Sequence, residues 1–309
     1  MSPHMKIKAG VAGTGSMGRN HARVYSLLEN VELTAIYDQD IERAKQVADE
    51  FGGVAVSSLE ELAQHAQAVS VAVPTVVHRE VGCKLMELGC DVLMEKPIAN
   101  SLDDARALIE TSHNKDRILQ VGHIERFNPV MRSLEAKLTE PKFIEAHRLS
   151  PFPNRSMDIG VVLDVMIHDL EIILHLVKSP VVNIDAVGVN VLTHREDIAN
   201  ARLRFENGCV ANVTASRISP EKMRKLRVFQ GDCYLSLDYQ EQSGEMYWKE
   251  GMQIMKSDVE IEKDEPLKLE LASFIDCVAK GETPAVTGHH GAAALDVALE
   301  ITNKIADSL

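Results

Sequence analysis

The chain has 309 residues, with 33 Lys or Arg against 46 Asp or Glu and a formal net charge of −13. That balance repels phosphate backbones and anionic lipid surfaces, so neither nucleic acid nor a membrane is an expected partner, and an anionic small substrate needs local basic residues. No apolar run approaches the ~20 residues of a membrane span. The five cysteines (Cys83, Cys90, Cys209, Cys233, Cys277) have neither metal-ligand spacing nor an even count, so a reducing cytoplasm is expected and a metal is not.

In chain order, Met1-Ser-Pro-His-Met5 reads as a cloning remnant, with the natural start at Met5 and no signal peptide visible. Apolar strands follow at Ile7–Ala12, Val31–Tyr37, Val54–Val56, Ala68–Val73, Asp91–Met94 and Ile118–Val121. Amphipathic helical patterns lie between them, for example at Ile41–Phe51, His78–Leu88 and Leu102–Ser112. This alternation predicts an α/β class with a parallel, doubly wound sheet over residues 1–122. Ligands in that architecture sit at the carboxyl ends of the strands. Those ends here hold Gly13–Gly18, Asp38, Pro74-Thr75, Glu95-Lys96-Pro97 and Gly122-His123.

Gly13-Thr14-Gly15-Ser16-Met17-Gly18 is a G-x-G-x-x-G loop with a strand before it, a helix after it and an acidic residue about 20 positions on. Gly13 permits the tight turn, Gly15 lets the backbone approach a pyrophosphate, and Gly18 lets helix and strand pack closely. The predicted helix, Met17–Leu28, buries Met17, Ala22, Val24, Leu27 and Leu28, and its first-turn N–H groups face the phosphates. A carboxylate at Asp38 accepts from ribose hydroxyls and repels a 2′-phosphate, and Asp40 adds to that charge. NAD is therefore expected over NADP. Lys96, fixed by the following proline, is placed either as a surface lysine or as a group in the cofactor crevice. In the crevice it would hold a substrate hydroxyl and, with a lowered pKa, relay a proton.

After residue 122 the character changes, and 123–309 reads as a second domain. A helix is predicted at Pro129–Thr139, an extended segment at Lys142–Leu149 and a loop at Ser150–Asn154. From residue 181 the chain is β-rich, with hairpin signals at Asn207-Gly208 and Gly231-Asp232, which predicts a mostly antiparallel sheet. Helices at Leu267–Lys280 and Gly291–Ser308 close it. The basic run Lys222–Arg227 reads as the solvated start of a strand. Between these, residues 160–177 are apolar nearly all round, yet Asp164, His168, Glu171 and His175 form one stripe at helical spacing. Such a stripe is either a set of structural pairs or a wall carrying a general base, with Asp164 biasing His168.

Three motifs coincide: Gly13–Gly18 with Asp38, Glu95-Lys96-Pro97, and Asp164-Val-Met-Ile-His168. Together they resemble the glucose–fructose oxidoreductase, inositol dehydrogenase and MocA family of NAD(P)-dependent sugar oxidoreductases, over essentially the whole chain. The resemblance implies a Rossmann domain followed by an α/β domain whose open sheet serves assembly into homodimers or homotetramers. It implies catalytic roles for Lys96, Asp164 and His168 and cofactor contacts near Thr75, His78 and Glu95, which Pro74, Lys96 and His123 join from their strand ends. The Val121–Pro129 segment, with Arg126 and Asn128, and Asp164–Asp169 are most similar to the family's sugar-nucleotide 3-dehydrogenases. Oxidation of the 3-hydroxyl of a nucleotide-linked sugar, UDP-N-acetylglucosamine first, is what this implies. A free polyol or aldose, a uronic-acid nucleotide, or a non-catalytic NAD sensor are the alternatives. Met166 stands where glycine is usual in inositol dehydrogenases, and Glu171 where an aspartate is; the bulkier Met166 is expected to reshape the pocket. Arg148 and Arg155 are expected either to meet a substrate diphosphate or to be ordinary surface arginines.

Overall fold

The computed structural model describes residues 6–152 and 159–307. They form two compact units. The first runs to His123 and takes in Leu267–Ala292; the second begins at Ile124, runs to Pro266 and resumes at Ala293. The first crossing falls one residue after the boundary expected from sequence. The return of residues 267–292 to the first unit was not expected.

In the first unit, strands β1 (Ile7–Ala12), β2 (Val31–Tyr37), β3 (Val54–Val56), β4 (Ala68–Val71), β5 (Asp91–Glu95) and β6 (Leu119–Gly122) make a sheet of order β3-β2-β1-β4-β5-β6. Every pairing is parallel. Helices α1 (Ser16–Leu27), α2 (Ile41–Phe51), α3 (Leu59–His65), α4 (His78–Glu87) and α5 (Leu102–Lys115) make the crossovers. Residues of β4 and β6 are buried throughout, which is why they read as unbroken apolar runs rather than alternating ones. Strand order reverses between β1 and β4, so the crevice of this sheet opens at their carboxyl ends. Side chains of Asp40, Ser58 and Ser101 cap α2, α3 and α5 by accepting from Glu42, Glu61 and Asp104 amides. Helix α8 (Pro266–Lys280) and the start of α9 (Gly288–Ala306) close the β6 edge. Val121 N donates to Val286 O, Gln120 bridges Thr287, and the Gln120 side chain donates to Glu270 O. An open edge strand is thereby covered.

The second unit carries an eight-stranded sheet of order β14-β13-β12-β11-β7-β10-β9-β8. In chain order its strands are β7 (Phe143–Leu149), β8 (Val181–Val189), β9 (Ile198–Phe205), β10 (Val210–Ser216), β11 (Met223–Phe229), β12 (Cys233–Asp238), β13 (Ser243–Glu250) and β14 (Gln253–Asp258). Only β7 and β10 pair in parallel; the rest are antiparallel. One face is covered by α6 (Pro129–Glu135) and α7 (Ile167–Val177), with Ile144, Ala146, Val213, Leu226 and Val228 packed in a core with Ile167, Leu170 and Ile173. The other face bears a ladder of rings, Phe143, Phe229, Tyr234 and Tyr247, whose successive centroids lie 5.7, 5.0 and 4.6 Å apart. No helix among the described residues is long and apolar enough to cross a membrane.

Candidate active site

At the carboxyl end of β1, Gly13 takes φ +91°, and a Cβ there would strike Ala72 O. A Cβ on Gly18 would strike Gly13 O, whereas one on Gly15 meets no protein atom within 4 Å. Gly13 and Gly18 therefore serve the turn, and the space over Gly15 is left to a ligand. Helix α1 begins at Ser16 and Met17 with no side-chain cap and no acid in its first turn, so its amide dipoles are unopposed. At the end of β2, Asp38 Oδ2 accepts from both the amide and the hydroxyl of Thr14, each at 2.7 Å, and Oδ1 accepts from Asp40 N at 2.9 Å. Burial raises this carboxyl, but the bonds from Asp40 and Thr14 outweigh it and hold the pKa below the usual carboxylate range. The glycine loop, the uncapped amides and a fixed carboxylate fit a dinucleotide.

The expected buried face of α1 is corrected. His21 and Tyr25 turn inward, and Leu27 is 68% exposed. His21 Nε2 lies 3.0 Å from Glu95 Oε1, and Tyr25 bonds Ser70 across the sheet. The other Glu95 oxygen accepts from Lys96 N at 3.2 Å. Glu95 is nearly buried, so its carboxylate serves as a support beneath Lys96, which is itself half-buried. His78 is also a support: Nδ1 lies 3.0 Å from Pro97 O and Nε2 3.0 Å from Val73 O. It staples the loop after β4, which bears the exposed Pro74 and half-buried Thr75, to the turn after Lys96. Both ring nitrogens face backbone carbonyl oxygens, and because burial lowers the ring's pKa the neutral imidazole donates to one of the two. His123, where the chain first leaves this unit, is buried.

In the second unit the ionic stripe divides. Val162–Met166 is one turn of π-helix, with Ile167 N donating to Val162 O, and it runs directly into α7. Single π turns recur at functional positions because the wider turn re-aims side chains. This one carries Asp164, and His168 stands in the first turn beyond it, both half-buried. The turn is anchored from elsewhere: Val161 N donates to Glu196 O, and Arg217 donates to Ile159 O at 2.8 Å. Glu171 and His175 instead make structural pairs, Glu171 with Arg126 at 2.6 Å and His175 with Glu135 at 2.6 Å. Burial pushes the Glu171 carboxyl up to about 7, only partly offset by Arg126.

Three expected substrate contacts are spoken for. Arg148 clasps Asp169 with Nε and Nη2, both at 2.9 Å, and Glu125 with Nη1 at 2.8 Å, all nearly buried. Arg126 is buried against Glu171. Asn128 caps α6 through Val130 N and donates to Glu125 and to Tyr239 O. A guanidinium with a buried carboxylate on each side offers no open fork to a diphosphate. Arg155 lies outside the described residues. Met166 is buried in the hydrophobic core, which corrects the expectation that it reshapes a pocket. Among the described residues no group of three or more His, Cys, Asp or Glu could hold a metal ion. Sequence reading missed the π turn and its brace, made by Glu196 and by Arg217, whose Nε donates to Asp197 Oδ1 at 2.9 Å. It also missed His21, although that residue lies one helical turn after Met17, on the face already marked as buried.

A family model described as "Oxidoreductase family, NAD-binding Rossmann fold" matches residues 7–123, and one described as "GFO/IDH/MocA C-terminal domain" matches residues 132–232. UDP-N-acetylglucosamine 3-dehydrogenase of Acidithiobacillus ferrooxidans is 34% identical over 96% of this chain and 96% of its own. The chain belongs to the Gfo/Idh/MocA oxidoreductase family. Its first unit carries the family's NAD-binding Rossmann domain. A solved structure of the Acidithiobacillus enzyme superposes with a TM-score of 0.94, covering 98% of this chain and 99% of that one. A more distant member, scyllo-inositol 2-dehydrogenase (NAD(+)) of Bacillus subtilis, is 24% identical over 98% of this chain and 95% of its own. Levoglucosan dehydrogenase, solved with NADH and levoglucosan, shares the fold at a TM-score of 0.89 and 17% identity, over 99% of this chain and 98% of that one.

Proposed function

We propose that this chain is an NAD-dependent dehydrogenase that oxidises the 3-hydroxyl of UDP-N-acetylglucosamine to the 3-keto sugar. The observation that carries the reading is the near full-length likeness to an enzyme of that name; Lys96, Asp164 and His168, in the motifs read from the sequence, would then do the chemistry. NAD, when bound, supplies the hydride acceptor. The glycine loop and α1 amides would hold its pyrophosphate, and Asp38, locked by Thr14, would take its ribose and disfavour a 2′-phosphate. Lys96 positions the substrate hydroxyl and steadies the oxygen as negative charge develops on it. The hydroxyl proton goes to His168 or to Lys96, and Asp164, one turn before His168, favours the imidazolium.

NAD and NADP reduction against UDP-N-acetylglucosamine, UDP-glucuronic acid, free N-acetylglucosamine and inositol tests the substrate. A free polyol turned over in preference to the UDP-sugars would replace this reading. NAD binding without turnover on any sugar would make the chain a sensor. Single-turnover NADH formation against pH in Lys96→Ala and His168→Ala assigns the base, and unchanged rates in both would remove the two residues from the mechanism. We also propose that the chain forms homodimers or homotetramers through the open sheet face with its ring ladder. Light scattering of Tyr234→Asp tests this, and an unchanged mass in the variant argues against that face. Five thiols without a disulfide suit a reducing compartment.

A further inference from the structure

The basic run Lys222–Arg227 reads as solvated, but the structure turns one of its residues inward. Side chains alternate along β11: Leu226 and Val228 are fully buried against the helix-covered face, and Arg224 follows them on that side, in register with Arg148 on β7. Lys225 and Arg227 are exposed on the other face. Arg148 has already taken both oxygens of Asp169 and Oε1 of Glu125, and Glu125 Oε2 accepts from Asn128. What remains for Arg224 is a 3.4 Å approach to that same Oε1. Among the described residues this is its only side-chain hydrogen bond, and the side chain is 41% exposed.

A guanidinium keeps its charge under all ordinary conditions and has five N–H donors to place. Arg224 is thus a cation short of a counter-charge, in a chain with a large excess of acids. Its pKa is lowered by burial first and then by Arg148, which marks the same shortfall. Asp169, whose charge Arg224 feels, immediately follows His168 in the chain.

We propose that Arg224 receives the diphosphate of a nucleotide-linked substrate. The fork of a guanidinium matches phosphate oxygens in pairs, and a nucleotide-linked sugar is the substrate class that brings such a group. This rests on the functional reading above. The neutral alternative is that Arg224 only helps to balance Glu125, in which case its loss would affect folding but not discriminate among ligands.

The test is calorimetric binding of UDP and of uridine to the wild-type protein and to Arg224→Gln, with Lys225→Gln as an outward-facing control. The expected result is a loss of roughly 10- to 100-fold in UDP affinity in R224Q. Uridine and NADH binding should be unchanged, and K225Q should match the wild type. Turnover of UDP-N-acetylglucosamine should show the loss in KM rather than kcat. Equal UDP affinity in R224Q and wild type overturns the inference, as does an equal loss for uridine. Should R224Q not fold, Arg224→Lys is read instead. It keeps the charge without the fork, so UDP should bind several-fold more weakly with uridine unaffected, and unchanged UDP binding again overturns the inference. Wild-type protein that neither binds UDP nor oxidises a UDP-sugar refutes the functional reading itself. Wild-type turnover alongside an indifferent R224Q refutes only the role of Arg224.

Discussion

Replacing Asp169 by Ala is the sharpest test of how the second unit holds its site helix. The substitution removes two of the three 2.8–2.9 Å bonds to Arg148 and leaves that guanidinium nearly buried beside Glu125 alone. Breaking one partner out of a buried ion pair costs about 3–5 kcal/mol, because the stranded charge is not rehydrated. The single tryptophan, Trp248, lies on β13, so its fluorescence reports this unit and not the first. With a urea slope of about 2 kcal/mol per molar, the midpoint of the Trp248 transition should fall by roughly 1.5–2.5 M. Asp169→Asn should fall less, since its amide oxygen still accepts one N–H. Arg148→Met combined with D169A should recover little, because the buried Glu125 then loses its 2.8 Å partner and keeps only Arg224 at 3.4 Å. A shift below about 0.5 M in D169A would mean that water reaches Arg148, and the account of a dry clamp would be wrong.

Gly18→Ala places a Cβ against Gly13 O, so NADH fluorescence titration should show binding lost or severely weakened while the protein remains folded. Asp38→Ser should weaken NADH binding and bring NADPH to comparable affinity. Because the native Asp38 carboxyl lies below its ordinary value, its stabilising bonds are complete above the unfolded pKa of about 3.9 and are lost only as pH falls through the lower folded value. NADH affinity in the wild type should accordingly be level from pH 8 down to about 5. Glu171 has the opposite sign. Its folded pKa of about 7 lies above the ordinary value of 4.5, so between those values the folded state holds the extra proton and stability falls as pH rises. Urea midpoints read from Trp248 should decline from pH 5 to pH 8, and Glu171→Gln should flatten that decline.

The parallel sheet was legible because its buried strands are continuous apolar runs and because Gly13 and Gly18 stand where only glycine fits. Positions at strand ends, Asp38 and Lys96 among them, followed from that architecture. What sequence could not supply was pairing across long separations. Arg148 and Asp169 are 21 positions apart, and each alone resembles a surface charge. Arg126, Arg148 and Asn128 were assigned to substrate because charge in a line of text does not disclose what neutralises it. The helical stripe misled in part for another reason: a π turn widens the spiral between Asp164 and His168, so a fixed angular period cannot hold across residues 160–177. Leu27, expected inside, is exposed, and the unremarked His21 is buried beside an acid on a distant strand that no helical pattern discloses.

Residues 267–292 complete the β6 side of the first unit after the second unit has been threaded. On a ribosome adding about 5–20 residues per second, β6 emerges on the order of ten seconds before the segment that covers it. Throughout that interval the nascent chain offers Val121 and its neighbours as an unguarded template for foreign strands. A gene cut after His123 would make the exposure permanent. Such a fragment should aggregate, and supplying the 267–292 peptide in trans should keep it in solution.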